Sequence, residues 1–240
     1  MLLIGILPFE QTIAALAPSD VVDVLKMLEE FEKGKISLSQ LTDDPKDRKA
    51  IIRYYLINTN ILATKYKVVV GRCFALEERY EEAAGLARDY VRVYSNDWRG
   101  WRILGNSHFV LKSYGEAVAA LTNAVILGDE ECYAPLAAAA IAIGRLDLVK
   151  DIVPHLLILK KVDRTDQDDK LTILGVLTLY SLKAKERDVF LKGLEGFDAK
   201  NILTRRDVAK TVLLGCDEFG GQETQSICSK LREALSMEKN

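Results

Sequence analysis

The 240-residue chain has few of the residues that mark several protein classes. Its four cysteines, at 73, 132, 216 and 228, form no C-x-x-C pair, and its two histidines are His108 and His155. A structural zinc site needs closely spaced thiolate or imidazole ligands, so no metal is expected. Small secreted scaffolds are far richer in cysteine, so buried, reduced thiols are expected rather than a disulfide framework. Five prolines, with no Asn-Gly or Asp-Gly step, argue against a many-turned all-β fold. No apolar run approaches the roughly 20 residues that span a bilayer. A formal net charge of -2 argues against broad coating of nucleic acid. Walker A, G-x-G-x-x-G, H-E-x-x-H and G-x-S-x-G motifs are all missing, so neither a cofactor nor an enzyme is expected.

The chain does have enough apolar material for a core, 49% of its residues. Met1 to Phe9 is almost wholly apolar, and Ala15-Leu16-Ala17 is similar to a signal-peptidase site. No basic residue precedes that run, and Pro8 and Glu10 interrupt it, so a soluble cytoplasmic protein is the expectation. Residues 1–9 are then core, or a contact for a partner or a membrane surface.

Helical periodicity runs almost from end to end. Val21, Val22, Leu25, Leu28 and Phe31 make one stripe, with Ser19 as its N-cap and Gly34 as its stop. Asp44-Pro45 reads as an N-cap followed by proline at the first helical position. Ile51, Ile52, Tyr55 and Leu56 form the next apolar face. The chain is expected to be all-α.

The helices also repeat. Moving residues 70–90 forward by 34 puts Val70-Gly71 on Leu104-Gly105, Tyr80 on Tyr114, Glu82 on Glu116 and Ala83 on Ala117. Trp101-x-x-Leu104-Gly105-x-x-His108, followed by Ala117-x-x-x-Leu121-x-x-Ala124, resembles the tetratricopeptide repeat family. His108 stands for the family's tyrosine and Leu121 for its phenylalanine. Ser113 to Glu116 reads as a capping box that starts the second helix of this repeat. A third copy places Ala138-Ala139 on the motif, with Val149, Val153 and Leu156 on a second helix that Pro154 should kink or restart. Leu171-x-x-Leu174-Gly175 opens a fourth, in which Arg187 falls where alanine is expected. Val208, Ala209 and Val212 open a fifth pair that ends near Gly220. The expected architecture is a right-handed α-solenoid of four to five antiparallel helix pairs. Residues 1–60 form a helical cap, 61–200 the repeats, and 201–240 a C-terminal pair or cap, in one continuous domain.

The resemblance implies a non-catalytic adaptor, assembly factor or scaffold subunit that holds a partner segment in a concave groove. First-helix positions then supply the site. Lys65, Arg72, Arg99, Arg102 and Asn106 would orient an acidic part of a protein or peptide partner, because the arginine fork pairs carboxylates bidentately. Phe109, Tyr133, Leu136 and Ile143 would bury its apolar part. Arg102-x3-Asn106 is similar to half of a chaperone-tail clamp, but Tyr133 and Ala137 stand where the second half is needed. A chaperone that shields a hydrophobic client before insertion or secretion shares this fold. So does a helical-repeat RNA binder, in which Trp98, Arg99 and Arg102 would stack on bases; the near-neutral charge disfavours it. Cys73 or Cys132 with His108 could be a nucleophile and base, but His108 falls on the packing face and reads as a core histidine.

Overall fold

A computed structural model describes residues 18–58, 63–162 and 166–236, with side chains from residue 23 onward. The expectations for residues 1–9, the N-cap environment of the first helix, and Val21 and Val22 as core residues lie outside what is described. Among the described residues the regular structure is helical, with fourteen α-helices and short 3-10 turns. The chain forms two compact units, Met1–Leu111 and Lys112–Asn240.

In the first unit, α1 (Pro18–Glu32), α2 (Leu38–Thr42) and α3 (Pro45–Ile57) precede α4 (Lys67–Leu76), α5 (Tyr80–Val93) and α6 (Trp98–Val110). The described part of α1 opens at Pro18, and Ser19 is already helical within it rather than an N-cap. Val24 and Leu28 are buried, whereas Leu25 from the same stripe faces solvent. Gly34 ends the helix in the left-handed region, φ 69°, and Lys35 N–H reaches back to Glu30 O. Asp44 caps α3 by accepting from the amides of Lys46 and Asp47, with Pro45 at the first helical position. Helix α4 is almost entirely core, from Val68 to Phe74, and packs on α5 and α6. Gly100 of α6 packs directly against the side chains of Tyr90 and Val91 of α5. A Cβ there would come within 2.6 Å of the Tyr90 ring, so this position of α6 admits only glycine.

The second unit holds α7 (Tyr114–Ile126), α8 (Tyr133–Ala142), α9 (Leu146–Leu159), α10 (Gln167–Ala184) and α11 (Arg187–Leu194). It closes with α12 (Ala199–Leu203), α13 (Arg206–Phe219) and α14 (Gln225–Ser236). Consecutive helices pack together: α7 on α8, α8 on α9, α9 on α10, and α10 on α11 and α13. Ala117, Leu121 and Ala124 are buried as the repeat requires, as are Val149, Val153 and Leu156. Helix α9 runs through Pro154 without ending or restarting. The Arg187 mismatch has a simple cause. Helix α10 has 18 residues against 13 in α6, so Arg187 falls at the first position of α11 rather than at the alanine position. Val208, Ala209 and Val212 are core residues of α13, which ends against Gly220.

The turn between the two helices of a repeat has one geometry, used four times. Glu78, Lys112, Gly144 and Lys185 adopt φ of 59°, 60°, 78° and 60°. The next residues, Arg79, Ser113, Arg145 and Glu186, start the second helix with ψ between 63° and 79°. None of these four makes a side-chain cap bond. Ser113 is therefore not the start of a capping box: at ψ 64° its hydroxyl does not lie over the following amides. The capping box forms instead at Ser37 and Gln40, where ψ is 166°.

Two buried details correct or extend the sequence reading. Cys216 and Cys228 are joined by a disulfide, Cα–Cα 5.8 Å, rather than being reduced. The bond ties α13 to α14 inside an apolar cluster that includes Phe190, Ile202 and Leu231. Cys73 and Cys132 are buried cysteines outside that bond. Lys160, at the end of α9, is buried and donates to the backbone carbonyls of Lys192, Gly193 and Glu195 at 2.5, 2.9 and 3.0 Å. It thus satisfies acceptors that the last turn of α11 leaves open. Burial pushes this ammonium down to about 8.

Three mutational outcomes follow from this packing. Gly144→Ala should destabilise the protein by about 1 kcal/mol and Lys112→Gly should leave it unchanged or stabilise it by a similar amount, because the left-handed backbone penalises a Cβ. No atom lies within 4 Å of a Cβ at Gly144, so chemical denaturation would read the backbone term alone. Lys160→Met should cost about 2–4 kcal/mol, since it strips a buried donor from three carbonyls. Between pH 8 and 10.5 the unfolded chain holds the Lys160 proton more tightly than the native chain, so this residue's contribution to stability should rise with pH across that window. NMR titration of the Lys160 side chain checks the shift directly.

Candidate functional site

Asp97 sets the geometry of the start of α6. Its carboxylate accepts from the Arg99 amide at 3.0 Å, the Arg99 guanidinium at 2.9 Å, and the Tyr90 hydroxyl of α5 at 2.6 Å. Burial alone would raise this carboxyl, but the hydrogen bonds from Arg99 and Tyr90 outweigh it and hold the group below the ordinary carboxylate range. Burial, with Asp97 as acceptor, pushes the Tyr90 hydroxyl in the opposite direction, well above its usual value. Arg99 is thereby pinned to its own helix cap, and its guanidinium also lies 5.5 Å from the centroid of Phe31 on α1.

Two of the other expected basic residues are also held by the cap helices. Lys65 Nζ is 2.5 Å from Glu32 Oε1, and the Tyr66 hydroxyl donates to Glu32 Oε2 at 2.8 Å. The Lys65 hydrogen bond, joined by that of Tyr66, lowers the Glu32 carboxyl. Arg72 Nε donates to Thr42 Oγ1 at 2.7 Å and its Nη2 reaches Asp43 at 3.1 Å. Arg48 fastens this end of α2 by donating to the carbonyls of Thr42 and Asp43 and pairing with Glu77. Glu32, Thr42 and Asp43 thus meet Lys65 and Arg72, although the sequence reading assigned the first sixty residues only a capping role.

Arg102 and Asn106 sit differently. The Arg102 guanidinium stacks 4.5 Å from the ring centroid of Trp98, and Asn106 is exposed one turn further on. Trp98, Arg102, Asn106 and Val110 follow at four-residue steps and share one strip of α6. Trp98 and Val110 are 36% and 48% exposed, so the strip is open. Phe109 is half-buried beside it. Trp101 is half-buried, its indole donating to Ser95 O at 2.8 Å.

In the second unit the expected apolar residues divide. Leu136 is 2% exposed and belongs to the core of α8, where no partner could reach it; this corrects its assignment to the surface. Tyr133 stacks on His155, ring centroids 4.5 Å apart, and Ile143 is 45% exposed. The cysteine chemistry is not supported by the local environment either. Burial pushes the Cys73 thiol up to about 12, far from a reactive thiolate. Cys132 donates to Asp129 at 3.1 Å within a buried turn. His108 is half-buried on α6, with Nε2 3.3 Å from the Arg88 guanidinium. Among the described residues no group of three or more His, Cys, Asp and Glu could hold a metal ion, and no helix is long and apolar enough to cross a membrane.

The Asp97 geometry predicts a pH signature. Asp97→Asn should cost about 1–2 kcal/mol at neutral pH through loss of the charge-assisted bonds. A lowered carboxyl contributes fully above its unfolded value of 3.8 and loses that contribution as pH falls through the lower native value. The stability gap between the two proteins, read by denaturant titration, should therefore shrink below pH 3.8.

No family model matches the chain, and no curated protein matches it. Solved structures do. One is YrrB, a TPR protein with an unusual peptide-binding site, similar over 77% of this chain and 96% of that one, with 13% identity and a TM-score of 0.52. Another is a structure of Naa15/Naa10 bound to HypK-THB, with 15% identity, a TM-score of 0.31, and coverage of 92% of this chain and 37% of that one. The likeness to YrrB, added to the helix pairs and their recurring turn, makes the fold of this chain that of the all-α tetratricopeptide-like helical repeats.

Proposed function

We propose that this chain is a non-catalytic interaction protein, an adaptor, assembly factor or scaffold subunit, that holds a segment of a partner protein against the outer strip of α6. The observation that carries the reading is the Trp98–Arg102 stack at 4.5 Å with Asn106 exposed beside it. A guanidinium laid over a tryptophan face joins a flat apolar surface to a polar edge, which suits contact with a peptide segment. Tryptophan and arginine are also the residues that dominate binding energy at protein interfaces. The peptide-binding site of YrrB, on a similar fold, supports a peptide or protein as the ligand class.

Phe109 extends this strip on the first unit, and Tyr133 and Ile143 offer a separate apolar contact on the second. Lys65, Arg72 and Arg99 take a supporting role, because Glu32, Asp43 and Asp97 already occupy their charges. The cytoplasm is the proposed location. A second reading, a chaperone for apolar client segments, draws support from Ile126 and Ile158, which lie in the last turns of α7 and α9 at 74% and 64% exposure.

Affinity purification with mass spectrometry from native cells tests the proposal, run with wild type beside Trp98→Ala/Arg102→Glu. A stoichiometric partner of the wild type should fall at least tenfold in the variant, as loss of an interface anchor worth about 2 kcal/mol requires. A partner retained equally by both would remove the α6 strip from the interface. A broad, substoichiometric set of apolar clients, lost on Ile126→Asp/Ile158→Asp, would favour the chaperone reading.

A further inference from the structure

A second surface lies on the first unit, away from the first-helix positions that the resemblance singles out. It is a groove of about 360 Å³ between α3 and α5. Leu56, Phe74 and Leu86 line it, with Tyr55 set edge-on to Phe74 at 6.0 Å and the Arg79 guanidinium over the same ring at 4.4 Å. Gly85 stands in its wall, inside α5. Glycine inside a helix is destabilising relative to alanine. Packing among the described residues gives no reason for it here, since a Cβ at Gly85 would meet none of them within 4 Å. Its effect is to keep the groove open.

The rim is cationic. Arg79, Arg88 and Arg92 line the groove against Glu82 and Asp89. Glu82 is taken by Arg79, and Asp89 lies 2.7 Å from Lys67 as well as 3.6 Å from Arg92. The hydrogen-bond partner described for Arg88 is an imidazole nitrogen of His108, not a carboxylate. Arg88 and Arg92 are one helical turn apart on the same face. The edge thus has more positive charge than its own carboxylates neutralise, above an apolar floor.

We propose that the α3–α5 groove is a docking site for a short protein segment with acidic residues flanking a leucine or phenylalanine. The apolar side chain fills the space left at Gly85, against the half-buried Tyr55 and Leu56. Its flanking carboxylates pair with Arg88 and Arg92 in the forked geometry that guanidinium favours. From Arg79 to Arg92 the rim spans roughly 20 Å of helix, the length of about six extended residues. This surface is independent of the α6 strip.

A phage-displayed random dodecapeptide library, selected on the full chain and depleted on Gly85→Leu, tests the assignment. Gly85→Leu closes the groove and should raise helix stability, so circular dichroism and melting should stay at or above wild type. The peptides that survive depletion should carry at least two Asp or Glu around a Leu or Phe. Their binding should weaken at least tenfold on Arg88→Glu/Arg92→Glu and with added salt, and should stay unchanged on Trp98→Ala/Arg102→Glu. Recovery of no Gly85-dependent peptide would overturn the proposal, as would peptides that lack acidic residues. If Gly85→Leu fails to fold, the same library depleted on Arg88→Glu/Arg92→Glu decides it by the same criteria. Oligouridylate binding lost in those two variants, with no acidic peptide recovered, would assign the groove to nucleic acid and overturn the protein-segment reading.

Discussion

The turn between the two helices of each repeat is the constraint on which the rest depends. A single left-handed residue, at 78, 144 and 185, reverses the chain within a unit, 112 has the same local backbone, and the residue after each begins the next helix at ψ near 70°. With that reversal fixed, small buried residues such as Ala83 and Ala117 stand early in the second helix of a repeat. Local backbone geometry and core packing thus specify the same arrangement, which is what makes a repeat stackable. Three of the four positions are not glycine, so each accepts a backbone cost of about 1–2 kcal/mol that the packing must offset. The preference for this turn comes from the helices on either side of it.

The N-terminal helices do more than cover an open end. Glu32 and Asp43 reach residues about thirty positions away and neutralise Lys65 and Arg72, while Asp97 neutralises Arg99. The Glu32–Lys65 and Asp43–Arg72 pairs are partly exposed, and each is worth little to stability. Their consequence is for recognition. Glu32, Asp43 and Asp97 pair three cations on the surface that the repeat pattern marks for ligand binding; a fourth, Arg102, lies over the Trp98 ring. The α3–α5 groove keeps the opposite balance, with arginines in excess of carboxylates.

The second unit handles its end differently. Its last helices share one apolar cluster, and the Cys216–Cys228 bond lies within it. Cross-linking two cysteines twelve residues apart also limits the unfolded chain, by about 3 kcal/mol on a chain-entropy model. Further in, Lys160 carries a charge into the interior because the end of α11 presents carbonyls that no helical amide can reach. Both features fasten one helix to another where the repeat pattern has become irregular.

Residue order alone was enough to specify helices, several of their boundaries, and the repeat. Periodicity, Asp44-Pro45, Gly34 and the Leu-Gly pair at 104–105 are signals that act over three to eight residues, and the structure keeps them. Other boundary signals were overridden: Ser113 has the right spacing for a capping box but the wrong ψ, and Pro154 is carried inside α9. The left-handed turns at Glu78, Lys112 and Lys185 left no trace, because nothing in a glutamate or a lysine announces positive φ. Tertiary structure alone decided which charges stay open, that Leu136 is core, that Cys216 meets Cys228, and that α3 and α5 leave a groove between them. Those outcomes depend on contacts between residues brought together by packing, such as Glu32 with Lys65 and Asp43 with Arg72. Helical spacing determines which face a residue occupies, but not what other segment covers that face.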